Sequence, residues 1–253
     1  MRNLLLTLRF DGSAFHGWQI QPNGVTVQAV LGTALERILG HRPNTHGCSR
    51  TDAGVHAREF YCSFRTGNPI PADRLQVALN FYLPPQIAVL ACREVPAGFH
   101  ARYGCASKTY CYQIHNARVR DPFLQGRALQ EAQPLDTALL AREARDFVGT
   151  HDFAAFCAAG SSVQSTVRTL RRAEALRTGE ELRLFFEADG FLYNMVRIMV
   201  GTLLEIGRGK RPPGMLPQMI ADKDRKQAGY TAPAHGLYLW AVTYPKNALE
   251  QAQ

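Results

Sequence analysis

Leu4, Leu6, Leu8 and Phe10 fall on one side of an extended chain, and Leu5, Thr7 and Arg9 on the other. That two-residue period predicts a strand at the N-terminus. Helical spacing follows at Val27, Val30, Leu31, Ala34, Leu35, Ile38 and Leu39, with Thr26 placed to cap the helix and Gly40 to end it. Strand-like runs at 45–50 and 57–65, a helix over 71–82 with Pro71 in its first turn, and a strand over 87–92 complete the first half. The alternation then restarts. It predicts a strand at 108–114, a helix at 135–148, and strands at 167–177 and 182–188 joined by a hairpin at 178–181. A long helix over 191–206, a short one over 213–222 and a strand over 236–242 finish the pattern.

The order β-α-β-β-α-β thus occurs twice without visible sequence repetition. It predicts an α+β fold of two ferredoxin-like, split-βαβ modules, with mainly antiparallel sheets joined side by side around a central cleft. The expected domains are 1–105 and 106–253, the first carrying the loop with Asp52. No long linker separates them, and residues 246–253 read as a polar tail.

Charge changes the picture more than composition does. Lys and Arg number 29 against 21 Asp and Glu, a net charge of +8. Cationic surface that neutralises phosphates and releases counterions suits a nucleic-acid partner, although a basic enzyme without one has the same balance. No apolar run reaches the ~18 residues of a membrane span, and Met1–Asp11 lacks the features of a secretory signal. The six cysteines form no C-x-x-C pair, so they read as small core residues of a reducing cytoplasm rather than zinc ligands.

Four stretches carry candidate chemistry. In Arg50-Thr51-Asp52-Ala53-Gly54-Val55-His56-Ala57, Arg50 and Asp52 leave the same face of an extended backbone, and the guanidinium favours the ionised carboxylate. A structural ion pair at a Gly54 turn accounts for the same residues, and His56, without a partner at ligand spacing, reads as structural. In Asp11–Pro22, glycines and aromatics on a loop fit either base stacking or a packed turn. In Asn194–Gly201, Asn194 and Arg197 stand at i, i+3 on an apolar helix, where a lone arginine calls for an anion such as Asp52. Tyr110 and Tyr112 share a strand face. The cationic turn 207–213 fits phosphate contact or plain solvation. No P-loop, dinucleotide fingerprint or nucleophile elbow is present, so neither a nucleotide cofactor nor a metal is expected.

Taken in order, these stretches and the closing Ala232–Leu239 resemble the TruA family of tRNA pseudouridine synthases across about residues 3 to 245. Ser49 departs from the family's usual glycine. The resemblance implies a cofactor-free homodimer that isomerises uridine to pseudouridine at positions 38, 39 and 40 of the tRNA anticodon arm. It places Asp52 on the catalytic aspartate, Tyr110 on the active-site tyrosine and Arg197 on the arginine that pairs with the aspartate. Arg50 falls on the residue that holds the flipped base, and Leu237 on an apolar contact to uracil. Whether Asp52 attacks the sugar, adds to the base or removes a sugar proton stays open. The rival readings are a non-catalytic RNA-binding module of similar fold and, more weakly for want of ligand spacing, a metal-assisted hydrolase using Asp52 and His56.

Overall fold

In the computed structural model, which describes residues 1–160 and 163–249, the chain divides into two compact units. One comprises Met1–Ala106 with the chain from Leu239 onward, and the other Ser107–Tyr238. Of the polar tail, 250–253 lie outside the described residues. Among the described residues no helix is long and apolar enough to cross a membrane.

In the first unit, β1 (Arg2–Phe10) lies between β3 (His56–Thr66) and β4 (Ile87–Val95), antiparallel to both. Leu5, on the opposite side of the strand from Leu4, Leu6 and Leu8, is nevertheless only 1% exposed. It shares its face with Asn3, whose amide holds the segment after β4 against the sheet through the Pro96 and Phe99 carbonyls. The run expected at 45–50 pairs only over β2 (Thr45–Gly47), also antiparallel to β3. β10 (Leu237–Thr243) lies along the opposite edge of β3 from β1.

Helix α1 (Val27–Leu39) starts where Thr26 accepts from the Ala29 N–H at 3.3 Å and ends at a left-handed Gly40. Its apolar positions Val27, Leu31, Ala34 and Leu35 are buried, as the 3.6-residue spacing requires. Helix α2 (Ala72–Tyr82) follows Pro71, which sits one place earlier than expected, as the cap rather than in the first turn. Its ring fixes φ at −56°, and it has no N–H to leave unsatisfied.

The second unit carries β5 (Ser107–His115), the two-residue β6 (Leu129–Gln130), β7 (Gly149–Asp152), β8 (Val167–Thr178) and β9 (Glu181–Ala188). The order is β5-β9-β8-β7, antiparallel throughout, with β6 parallel to β5. Thr178 pairs with Glu181, so the β8–β9 hairpin turns on Gly179 and Glu180 alone. Helix α3 (Thr137–Ala144) is shorter than its pattern. Asp136 caps it through the Ala138 and Leu139 N–H groups, and the chain tightens into a 3-10 turn at Arg145–Phe147. Helices α4 (Met195–Gly207) and α5 (Leu216–Asp222) complete the unit, whose secondary structure is mixed α+β as expected.

Candidate functional site

The candidate residues divide between the units, Arg50 and Asp52 in the first and Tyr110, Arg197 and Leu237 in the second.

Arg50 and Asp52 stand on the loop from β2 to β3. Backbone bonds to the stretch after β1 shape this loop: the Trp18 N–H donates to the Thr51 carbonyl (3.2 Å) and the Gly54 N–H to the Phe15 carbonyl (3.2 Å). A turn closes where the Val55 N–H donates to the Asp52 carbonyl (3.1 Å), with Gly54 at φ +79°. A side chain here would be strained, which is why the turn falls on glycine. The contact with the preceding stretch leaves little space, since a Cβ on Gly17 would sit 2.3 Å from the Thr51 carbonyl oxygen. Phe15 and Trp18 are buried, and Trp18 stacks on Phe60 at 4.2 Å between ring centroids. The Asp11–Pro22 stretch is therefore a packed support whose buried aromatics are spent inside the unit.

His56 belongs to the same support. It is 2% exposed, and its Nδ1 accepts the Gly12 N–H at 3.1 Å, with Asp11 Oδ1 3.2 Å away. That is the structural role expected for it. Between these anchors Arg50 is exposed, Thr51 buried and Asp52 half-buried. The alternation turns Arg50 and Asp52 outward from a backbone held on its Thr51 side.

In the second unit α4 and β5 both meet the segment 232–237. Arg197, on α4, donates from Nε to the Ala232 carbonyl (2.7 Å), and the Ala232 N–H donates to the Arg197 carbonyl (3.0 Å). Arg197 also donates to Asn194 Oδ1 at 2.7 Å. Asn194 is placed differently from the expected helix interior. It precedes the helix in the left-handed region (φ 58°), a conformation asparagine tolerates better than most residues. From there its amide oxygen reaches forward over the first turn to accept from Arg197. The two neutral acceptors fix the guanidinium's position, and this brace was not foreseen.

From β5, the fully buried Tyr112 donates its hydroxyl to the Pro233 carbonyl at 2.8 Å. Burial, reinforced by nearby Tyr230, pushes that phenol above its usual range, so it stays a neutral donor. Tyr110, two residues earlier and 6% exposed, meets Phe191 edge-to-face at 5.0 Å. Leu237, 5% exposed, begins β10 directly after the braced segment. Tyr112 and Arg197 thus hold the chain leading to Leu237 from two sides. His235, within that segment, is kept below the usual imidazole pKa by burial and then by the Arg197 charge.

The cationic turn 207–213 is mostly committed to internal contacts. Arg208 pairs with Glu131, its Nε donating to Oε2 at 2.8 Å. Arg211 pairs with Glu205 and donates to the Gln227 carbonyl at 2.6 Å. Lys210 is the exposed cation of the turn. Among the described residues no three of His, Cys, Asp and Glu converge as a metal site would require.

Comparison with known proteins agrees with the motifs. A family model described as tRNA pseudouridine synthase matches residues 7–104 and 144–245. The tRNA pseudouridine synthase A of Moorella thermoacetica is 46% identical over 243 residues, covering 95% of this chain and 99% of the relative. That of Acetivibrio thermocellus is 43% identical over 244 residues, covering 96% and 100%. Among solved structures, a Cbf5-Nop10-Gar1 complex aligns over 99% of this chain and 60% of that chain, with 11% identity and a TM-score of 0.38.

Proposed function

The chain belongs to the tRNA pseudouridine synthase family, and from that membership we propose that it isomerises uridine to pseudouridine at positions 38, 39 and 40 of the tRNA anticodon arm. The observation that carries the reading is the Arg50–Ala57 loop. It presents an arginine and an aspartate outward from a backbone pinned on the other side.

The reaction breaks the bond from C1′ to N1, turns the uracil and joins C1′ to C5. The proton lost from C5 is balanced by one gained at N1, so nothing is oxidised and no water is consumed. Breaking the glycosidic bond draws electrons from the sugar. An ionised carboxylate at that carbon is worth most when already in place, because it need not reorganise as charge develops. We assign that part to Asp52. From the family resemblance we assign Arg197 the part of its charge partner, with the guanidinium held by Asn194 and Ala232.

The detached uracil must turn without escaping, and the phenol ring of Tyr110 and the side chain of Leu237 serve as walls. The Tyr110 hydroxyl relays the C5 proton. A base paired in a stem has to be extruded first, at about a few kcal/mol. Arg50, exposed beside Asp52, holds the flipped nucleotide.

Pseudouridine mapping of an unmodified tRNA transcript with uridines on both sides of the anticodon arm tests the reading, with EDTA present and no added cofactor. Conversion confined to the 3′-side uridines is expected, and conversion on the 5′ side or none at all would refute it. A protein that embraces so large a substrate in the cytoplasm is assigned here as a homodimer. Sedimentation at micromolar concentration should give twice the chain mass, and a fully active monomer would overturn that assignment.

A further inference from the structure

The first unit holds a second cationic site at the far end of β3. Asn3, His46, Ser63 and Arg65 share one sheet face there, because Asn3 pairs with Arg65, His46 pairs with Ser63, and Ser63 and Arg65 are two apart. The segment after β4 is pinned across this face. Asn3 donates from Nδ2 to the Pro96 (3.0 Å) and Phe99 (2.9 Å) carbonyls. Arg65 donates to the Ala97 carbonyl (2.6 Å), and the Ala101 N–H donates to Ser63 Oγ (3.1 Å).

The pinned segment brings His100 over His46, with ring centroids 4.6 Å apart. A depression of about 460 Å³ results, lined among others by His41, Arg42, Asn44, His46, Arg65 and His100. Among its described lining residues there is no aspartate or glutamate. Arg42 has a carboxylate nearby, Glu36, but at 3.7 Å and with both side chains well exposed.

His100 Nδ1 accepts the Arg102 N–H (3.1 Å) and sits 3.4 Å from that of Tyr103, so the ring proton rests on Nε2. Burial, then the charges of His46 and Arg102, depress this imidazole, which favours its neutral, N–H-donating form. Two guanidiniums, imidazole N–H groups and an amide, with the exposed Glu36 beside Arg42 as the nearby acid, suit a phosphodiester, which supplies only acceptors and negative charge.

We propose that this depression binds a backbone phosphate of the tRNA at a distance from the uridine being isomerised. From His56, beside the Asp52 turn, to Arg65 the strand runs nine residues, roughly 30 Å at about 3.3 Å each. The site positions the RNA body and takes no part in the chemistry. It rests on the tRNA reading above.

The test compares wild type with the Arg42→Gln/Arg65→Gln variant, whose glutamines remove charge while leaving a donor near Ala97. Affinity for an unmodified tRNA transcript is measured across a salt series, with single-turnover conversion at saturating enzyme alongside. We expect about tenfold weaker binding near 0.1 M salt and a salt slope shallower by about 1–2, with the saturated rate unchanged. Unchanged affinity and slope would overturn the proposal. So would a fall in the saturated rate with binding intact, which would move these arginines into the chemistry. Loss of inorganic phosphate binding at constant ionic strength without loss of tRNA affinity would overturn it in favour of a free-phosphate site. If the double variant melts early, Arg42→Gln alone is read the same way, with a slope change near 1. Wild-type conversion in the same tubes separates the two claims. Salt-dependent binding lost in the variant, with no conversion by wild type, would uphold the phosphate site and sink the synthase reading.

Discussion

Asp52→Asn should convert no uridine that wild type converts, with a single-turnover rate at least about 10³-fold lower and tRNA affinity within roughly threefold. The amide fills the same space on a backbone fixed by Trp18, Phe15 and the Val55 turn, so the loop should keep its shape. What disappears is the negative charge that the proposed reaction sets against the developing sugar cation. An asparagine variant retaining more than about a tenth of the wild-type rate would return Asp52 to a structural ion pair. A wild type that binds but never converts would make the protein the binding module instead. Tyr110→Phe makes a useful contrast. Its ring keeps the edge-to-face contact with Phe191, so folding and base enclosure persist while the hydroxyl relay is lost. A fall of about 10² in rate is expected, the lower range for removing a positioned proton-transfer group. A variant as fast as wild type would leave Tyr110 as a wall only.

Much of the order of elements was legible because it depends on local signals. Thr26 and Gly40 bracket α1 where side-chain chemistry says they should. The β8–β9 hairpin turns on a glycine at φ +59°, a conformation that sequence can announce. What escaped depends on distant partners. Leu5 shares its side of the strand with Thr7 and Arg9, yet it is buried, on the face where Asn3 holds the distant segment after β4. The four-residue β7 (Gly149–Asp152) has no alternating apolar pattern and exists through its pairing with β8.

The candidate site shows the same division. The Arg50–Ala57 motif was conspicuous, yet nothing local revealed that Phe15 and Trp18 would hold its backbone or that Gly12 would donate to the His56 ring. Arg197 stood out as a charge on an apolar helix. Its brace on Ala232 required knowing that, 35 residues later, the chain returns across α4. The arginines of the 207–213 turn looked available for phosphate because Glu131 and Glu205 could not be matched to them from spacing alone.

That returning chain sets the second large expectation, a destabilised Gly201→Ala. An added Cβ would lie 1.8 Å from the Tyr230 carbonyl oxygen and 2.8 Å from its carbon, both backbone atoms that no rotamer change can move. Ala is the better helix former by about 1 kcal/mol, so propensity alone would stabilise the variant. The clash should win, because relief requires lifting residues 229–232 off the helix. That movement strains the Gly229 N–H bond to Thr202 Oγ1 (2.8 Å) and both bonds between Arg197 and Ala232. Overpacking of this kind costs about 3 kcal/mol, leaving a net loss near 2 kcal/mol and a Tm lower by about 4–8 °C. Gly32→Ala on α1 is the matched control, since its Cβ would meet only the end of the flexible Arg42 side chain. It should be neutral or stabilising by up to about 1 kcal/mol. The Gly201 variant should also lose activity beyond its unfolded fraction, because the displaced segment carries the Arg197 brace and leads into Leu237. Calorimetry with rates measured well below the transition checks both parts, and a Gly201→Ala protein that melts with or above wild type would show that the 229–232 segment does not constrain α4.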